Sequence, residues 1–305
     1  MLSTIVVTGA HGFLGRHVAR LFSRKGHTVL GIGHGEWERE EWESWGLSGW
    51  QCADVTLGEL KQNSQIPSAL IHCAGGGSVS FSIENPLADF ERTVETTAHV
   101  LEYVRTVAPC CRVVFPSSAS VYGSVKQLPI REDCIAAPIS QYGVHKLMAE
   151  QMVASYSRQF GTSAAIVRLF SVYGRGLRKQ LLWDACRKFA NRDYEFMGTG
   201  KEIRDWLHVD DATSLLLAAS NHASPECPVI NGGSGEGITV QEVLSHLGSF
   251  FHAGISPTFS GAQRPGDPNG YIADSDASRS WGWQPRIRWE EGMSEYATWW
   301  LESFK

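Results

Sequence analysis

The chain of 305 residues lacks three features that would each assign it to a particular class of protein. It contains no apolar run near the ~18 residues that span a bilayer, so no membrane association is expected. Its 27 Lys and Arg are outnumbered by 32 Asp and Glu, which argues against a nucleic-acid partner. The seven cysteines are odd in number and form no Cys-x-x-Cys pair, which predicts reduced thiols. Because Met1 leads directly into a strand-like segment, no signal peptide is expected, and the sequence predicts a cytoplasmic protein.

The first half of the chain alternates short apolar segments with longer segments of helical periodicity. This alternation predicts an α/β fold, a Rossmann-type doubly wound parallel sheet with helices on both faces. The predicted strands are residues 4–8, 28–32, 69–73, 112–116 and 164–169, and the predicted helices are 14–24, 86–107 and 140–159.

Glycine-rich turns separate shorter elements in the second half, and residues 257–270 have the composition of a loop. We therefore predict a dinucleotide-binding Rossmann domain over 1–171. Residues 172–305 are predicted to form mainly a smaller mixed C-terminal substrate-binding lobe, with a cleft between the two. The chain is expected to cross back to the Rossmann domain.

A glycine-rich segment lies between the first predicted strand and the first predicted helix. Gly9 permits a tight turn, Gly12 lets backbone amides approach a pyrophosphate, and Gly15 lets helix and strand pack closely. The helix N-terminus then presents unpaired N–H groups to an anion. The residues predicted to bind a dinucleotide here are Gly9, His11, Gly12, Phe13, Leu14 and Gly15.

The end of the second predicted strand lacks the carboxylate that holds the ribose 2′-hydroxyl in NAD-binding folds. His34 occupies that place, and Arg39 follows it. Without a carboxylate nothing repels a 2′-phosphate, so the interpretation favours NADP over NAD as cofactor. The alternative is that both side chains are ordinary surface residues.

Tyr142 and Lys146 are four residues apart in a predicted helix, so their side chains share one helical face. A tyrosine that exchanges protons with a substrate hydroxyl or ketone needs its pKa of ~10 lowered, and an adjacent ammonium favours the phenolate. The serines of the segment 117–120 follow a predicted strand and could orient the same oxygen. His72 beside Cys73 lacks further ligands at metal spacing, so no metal site is predicted.

These motifs together resemble the NAD(P)-dependent sugar-nucleotide epimerase/dehydratase family, the extended branch of the short-chain dehydrogenases/reductases. The resemblance covers nearly the whole chain, including Arg168–Gly174, Arg204–Asp211 and Arg264–Asp267. It implies Ser118 as hydroxyl donor, Tyr142 as catalytic acid/base, and Lys146 as its partner and ribose ligand. The further cofactor residues it implies are Asp54, Val55, Cys73, Ala74, Gly75 and Leu169, and the substrate residues are Ser118, Ser171, Arg204, Arg264 and Asp267.

Several residues depart from the family pattern, and one of these departures bears on which reaction is expected. Ala119 and Ser120 stand where dehydratases of this family carry an Asp-Glu pair, which argues against 4,6-dehydration. Thr93 and Thr96 replace the usual asparagine and glycine of a helical motif, and Ser171 replaces another asparagine.

Three functions therefore remain. The first is a sugar-nucleotide 4-epimerase that acts through a transient 4-keto sugar. The second is an NADPH-dependent 4-keto-sugar-nucleotide reductase, and the third is a non-enzymatic module that senses NADP. The expected partners are a sugar nucleotide of carbohydrate biosynthesis and a second copy of the chain, since the resemblance implies a homodimer through the helices at 86–107 and 140–159.

Overall fold

The computed structural model describes residues 3–62, 65–252, 254, 256–262 and 270–304. Within these ranges the strands are β1 Thr4–Thr8, β2 Thr28–Gly33, β3 Gly49–Cys52, β4 Ala69–His72, β5 Arg112–Ser118, β6 Ala164–Leu169, β7 Ser171–Tyr173, β8 Glu195–Phe196, β9 Ile203–His208, β10 Val229–Gly232, β11 Gly237–Thr239 and β12 Thr258–Phe259. The α-helices are α1 Phe13–Arg24, α2 Arg39–Ser44, α3 Leu57–Lys61, α4 Val79–Glu84, α5 Pro86–Phe90, α6 Thr96–Thr106, α7 Gln141–Phe160, α8 Gln180–Ala190, α9 Val209–His222, α10 Val240–Gly248, α11 Asp276–Ser280 and α12 Trp289–Phe304. A π-helical turn, Glu91–Glu95, joins α5 to α6, and a 3₁₀ turn, Ala119–Tyr122, follows β5.

The central sheet has seven strands in the order β10-β6-β5-β4-β1-β2-β3. The five pairings from β6 through β3 are parallel. Strand order reverses between β1 and β4, and ligands of such sheets bind outside the carboxyl ends of the strands at this reversal. The glycine loop after β1 and the segment after β4 both lie there.

Strands covered by helices on both faces are apolar along their length, and the sequences of β1, β4 and β6 have this property. Ile5, Val6 and Val7 are at most 2% exposed. Side chains of β4, β5 and β6 form one buried cluster with α6 and α7. Packing in this core therefore fixes the position of helix α7 relative to the ends of these strands.

The described chain divides into two compact units. One comprises Met1–Gly123, Ile135–Leu169 and Thr213–Ile230, and the other Ser124–Cys134, Phe170–Ala212 and Asn231–Lys305. The second unit contains a mixed sheet, β11-β9-β7, in which β9 pairs antiparallel with β11 and parallel with β7. None of the helices in the described ranges is long and apolar enough to cross a membrane.

The predicted fold class is confirmed, with local differences. The strands β3 and β10 were not expected, because Gly-Trp-Gln-Cys and Val-Ile-Asn-Gly are only four residues long and contain glycine, which is depleted in strands. The single helix expected over 86–107 is interrupted by the π-helical turn. The loop expected at 257–270 contains β12, which pairs with β8, and its residues 263–269 lie outside the described ranges.

Candidate functional site

The glycine loop brings the backbone of β1 against the end of β4. Gly9 has φ +65°, and a Cβ there would lie 2.7 Å from the backbone nitrogen of Ala74. A Cβ on Gly15 would lie 2.2 Å from the carbonyl oxygen of Gly9. Gly12 is the N-cap of α1 and has no side chain. Among the described residues, no side chain caps the first turn of this helix. Such a bare backbone cradle at a helix N-terminus fits the pyrophosphate of a dinucleotide.

Aromatic rings and one arginine brace this loop. The ring of His11 lies 4.7 Å from that of Trp37, and its Nδ1 lies 3.2 Å from the carbonyl oxygen of His34. The guanidinium of Arg16 donates to the carbonyl oxygen of His11 at 2.7 Å. Phe13 and Leu14 begin α1 directly after the loop.

The residues predicted to meet the ribose and adenine divide into two groups. His34 Nε2 lies 3.0 Å from Asp54 Oδ1, and both side chains are about three-quarters exposed, at 74% and 73%. Arg39 instead donates to Glu43 within α2 at 2.7 Å. Val55 is buried beside Asp54. The structure therefore joins His34 to Asp54 and engages Arg39 elsewhere.

Ser118, Tyr142 and Lys146 converge at the carboxyl end of β5. Ser118 ends that strand and caps the 3₁₀ turn, its Oγ accepting from the Ser120 amide at 3.2 Å. Helix α7 packs closely against this turn, because a Cβ on Gly143 would lie only 2.6 Å from the Ser120 carbonyl oxygen. Tyr142 is thereby placed beside Ser118. Lys146 is buried, donates to the Pro116 carbonyl at 3.2 Å, and lies 5.9 Å from the Tyr142 ring centroid.

The electrostatics of Tyr142 differ from the sequence-based expectation. Burial raises the pKa of Tyr142 to about 12, a hydrogen bond from Ser118 acts to lower it, and the charge of Asp89 raises it. The Lys146 ammonium donates to a backbone carbonyl, and burial shifts the pKa of Tyr142 in the direction opposite to the lowering that the spacing suggested. Burial therefore favours the protonated form of Tyr142.

The predicted cofactor segment 73–75 follows a buried, neutral histidine. Thr8 Oγ1 accepts from the Ala74 amide and lies 2.7 Å from His72 Nδ1, so the hydroxyl donates to that nitrogen. His72 Nε2 lies 3.1 Å from Thr97 Oγ1, which donates to the Thr93 carbonyl, so Nε2 carries the proton. Burial, reinforced by the charge of Lys146, lowers the pKa of His72 to about 3.

Cys73 and Gly75 lie near the same ammonium. Burial raises the pKa of Cys73 to about 12, with Lys146 acting in the opposite direction, so the thiol remains protonated. A Cβ on Gly75, which has φ +144°, would lie 3.5 Å from Lys146 Nζ. Within the described ranges, no group of three or more His, Cys, Asp or Glu side chains is arranged to hold a metal ion.

Sequence reasoning missed a buried ion pair beside Tyr142. His145 Nδ1 lies 2.6 Å from Asp89 Oδ2, and the two side chains are 4% and 0% exposed. The Gln141 amide nitrogen lies 3.0 Å from His145 Nε2. Asp89 lies in α5 and His145 in α7, 56 residues apart, so no local pattern links them. The available signal was an ionisable residue inside each of two segments expected to be helical.

The predicted substrate residues lie in the second unit. Ser171 begins β7, and Arg204 in β9 donates to the Ile203 carbonyl at 2.9 Å. Its neighbour Asp205 is buried and accepts from backbone amides, including that of Ala273 at 3.0 Å, so it has a structural role. Arg264 and Asp267 lie outside the described residues. Leu169 ends β6 in the first unit, after Arg168, whose guanidinium forms a buried ion pair with Glu150 at 2.8 Å.

The chain is similar to known proteins in both sequence and fold. The model of the NAD dependent epimerase/dehydratase family matches residues 5–233. UDP-glucose 4-epimerase from Azospirillum brasilense is 29% identical, with 99% of this chain and 92% of that protein covered.

Solved structures share the fold along the whole chain. UDP-glucose 4-epimerase from Thermotoga maritima, solved with UDP-glucose, superposes with a TM-score of 0.90 at 24% identity, covering 99% of this chain and 100% of that one. MoeE5, solved with UDP-glucuronic acid and NAD, superposes with a TM-score of 0.88 at 27% identity and the same coverage.

Proposed function

Because the chain belongs to the NAD-dependent epimerase/dehydratase family, we propose that it is a sugar-nucleotide 4-epimerase. The observation that carries this proposal is the convergence of Ser118, Tyr142 and Lys146 at the end of β5. The glycine cradle after β1 supports a dinucleotide as cofactor. The relative from Azospirillum brasilense is a UDP-glucose 4-epimerase, and MoeE5 binds UDP-glucuronic acid, which supports a UDP-hexose or UDP-hexuronate as substrate.

In the proposed mechanism Tyr142 acts first as a base. Its phenolate takes the proton of the sugar C4 hydroxyl while the hydroxyl of Ser118 donates to the same oxygen. Lys146 supplies the positive charge that favours the phenolate, against burial and the charge of Asp89, which both raise the pKa of Tyr142. A dinucleotide held by Gly9, Gly12 and Gly15 would supply the group that takes up and returns the C4 hydride. After the 4-keto sugar has rotated to present its other face, Tyr142 returns the proton to the C4 oxygen. The complete reaction therefore brings no net oxidation.

The nucleotide part of the substrate is assigned to Ser171, Arg204, Arg264 and Asp267. An arginine suits this task, since its planar guanidinium can bind phosphate in a bidentate manner. This assignment rests on the position of these residues in family-like motifs. The chain is further proposed to be a cytoplasmic homodimer, and its seven cysteines, all present as free thiols, are compatible with that compartment.

A second candidate is a 4-keto-sugar-nucleotide reductase. It is favoured by the end of β2, where the exposed His34 stands in place of the ribose-binding carboxylate. That feature suits NADP, and a net reductase uses the same three catalytic residues once per turnover with exchangeable NADPH.

One experiment separates the two candidates. The purified protein is denatured, and any released nucleotide is identified by chromatography. The same preparation is then incubated with UDP-glucose, UDP-galactose and UDP-glucuronate, and the C4 epimers are measured by NMR. Tightly held dinucleotide with interconversion of epimers is the expected result. Consumption of added NADPH by a 4-keto sugar nucleotide, without epimerisation, would instead establish the reductase.

A further inference from the structure

We propose that the buried carboxylate of Asp89, held in place by His145, is a positioning residue that sets the charge facing the hydroxyl of Tyr142. This inference rests on the proposed role of Tyr142 as the acid/base. It concerns two residues that none of the family motifs above includes.

Buried contacts hold the carboxylate of Asp89 in place. His145 Nδ1 lies 2.6 Å from Asp89 Oδ2, and the Gln141 side-chain amide lies 3.0 Å from His145 Nε2. The side chains of Asp89 and His145 are 0% and 4% exposed, so the carboxylate is held away from solvent.

One oxygen of this carboxylate, Asp89 Oδ1, is buried and has no hydrogen-bond partner within the described part of the chain. A Cβ on Gly76 would clash with this oxygen, so the glycine makes room for it. The neighbouring Gly75 faces Lys146 Nζ. Asp89 Oδ1 thus lies at Gly76 and Lys146 Nζ at Gly75. Two groups of opposite charge therefore lie at neighbouring residues near Tyr142.

The two charges act on Tyr142 in opposite directions. Asp89 disfavours the phenolate and contributes to the raised pKa of Tyr142. Lys146 favours the phenolate. Within the described residues, the other charged groups on the elements packed around α7 are exposed or paired. Glu84, Glu91, Arg92, Glu95, Arg112 and Arg158 are exposed, His99 lies 3.9 Å from Glu95, Glu150 binds Arg168, and Glu102 binds Arg105. Asp89 differs from these carboxylates because it is buried and one of its oxygens has no hydrogen-bond partner.

Asp89→Asn tests this role, because the amide oxygen can still accept from His145 while the charge is removed. The acidic limb of the pH profile of kcat should move to lower pH by on the order of one unit. The same shift should appear in the ultraviolet titration of Tyr142, obtained as the difference between each protein and its Tyr142→Phe counterpart. Glu91→Gln removes an exposed carboxylate from the adjacent π-helical turn and should shift neither measurement.

A structural role predicts a different result. Asp89→Asn would then lower the thermal midpoint without moving either titration, and that outcome would overturn the proposal. Equal shifts in Asp89→Asn and Glu91→Gln would also overturn it. If Asp89→Asn does not fold, the double variant Asp89→Leu with His145→Phe removes the charge without leaving an unpaired partner, and the same acidic shift is required. Because the spectroscopic titration needs no substrate, it remains decisive even if epimerase activity is absent.

Discussion

At the scale of single residues, the proposed chemistry depends most directly on the hydroxyl of Tyr142. Tyr142→Phe removes the proton-exchanging group and keeps the ring. Turnover should fall by ~10²–10⁴-fold while sugar-nucleotide affinity changes little. Steady-state kinetics and calorimetric titration measure the two quantities. Tyr156→Phe, on the same helix but with its hydroxyl directed to Glu102, is the control that should keep its turnover. Normal turnover in Tyr142→Phe would exclude its catalytic role.

His34 is the residue expected to decide the cofactor. His34→Asp supplies an acceptor for the ribose 2′-hydroxyl and repels a 2′-phosphate, so the preference should shift from NADP toward NAD. Dissociation constants for both dinucleotides, measured by fluorescence titration, test this. His34→Asn adds no charge and should produce a smaller shift. Unchanged relative affinities in His34→Asp would mean that this residue does not contact the ribose.

His72 makes the stability of the fold depend on pH. Its pKa is lowered to about 3 in the folded chain, against about 6.5 in an unfolded one. Below the unfolded pKa the unfolded chain binds a proton that the folded chain does not, so stability falls as pH falls from 6.5 toward 3. At pH 5 the lowered pKa of His72 reduces the free energy of unfolding by about 2 kcal/mol relative to neutral pH.

His72→Gln should remove that pH dependence. Denaturant unfolding at pH 7 and pH 5 is compared for the variant and the wild type. The variant should be less stable at pH 7, because a hydrogen bond is weakened, yet should lose less stability on acidification. The exposed His222→Gln serves as the control and should retain the wild-type dependence. An unaltered slope in His72→Gln would show that another group is responsible.

At the scale of elements, the junction of β1 and α1 is the most sterically constrained part of the proposed cofactor site. A Cβ on Gly15 would meet the Gly9 carbonyl oxygen at 2.2 Å, and neither a Cβ, which is fixed by the backbone, nor a backbone oxygen can rotate away. Gly15→Ala should therefore displace α1, lower the thermal midpoint and abolish detectable dinucleotide binding. Gly58→Ala in α3 is the matched control, since its Cβ would lie 3.8 Å from Thr56 Oγ1 and should be tolerated. Retained binding in Gly15→Ala would refute the assignment of the cradle.

The helical segment from α5 to α6, which a π-helical turn interrupts, also contacts the candidate site. Its π-helical turn carries Thr93, whose hydroxyl accepts from the Gly76 amide at 2.9 Å. This threonine stands where the family usually has an asparagine, and it links the helix to the loop beside Lys146. π-helical turns occur frequently at functional sites.

At the scale of the whole molecule, the proposed homodimer predicts an apolar helix surface. Ile83 and Leu87 are 60% and 69% exposed, and Met148 of α7 is 38% exposed. The double variant Leu87→Glu with Met148→Glu should shift the protein to monomers in light scattering, because charges would be buried in the contact. Ile66→Glu, at a residue 66% exposed outside these helices, should not. A wild type that is already monomeric would contradict the homodimer.

The sequence alone determined the parallel α/β fold, the glycine cradle and the Tyr142–Lys146 pair. These features are local: periodicity, turn chemistry and a four-residue helical spacing all act over a few neighbouring residues. The sequence also indicated the serines of 117–120, because they follow a predicted strand, and the family resemblance implied Ser118 among them.

Only the tertiary structure decided which charges face Tyr142. Asp89 and His145 meet across 56 residues, and Lys146 donates to the Pro116 carbonyl. Burial, which depends on the packing of many elements, raises the pKa of Tyr142, whereas the four-residue spacing alone suggested the opposite direction. Desolvation and long-range pairing are properties of the folded chain, so no local pattern could have revealed them.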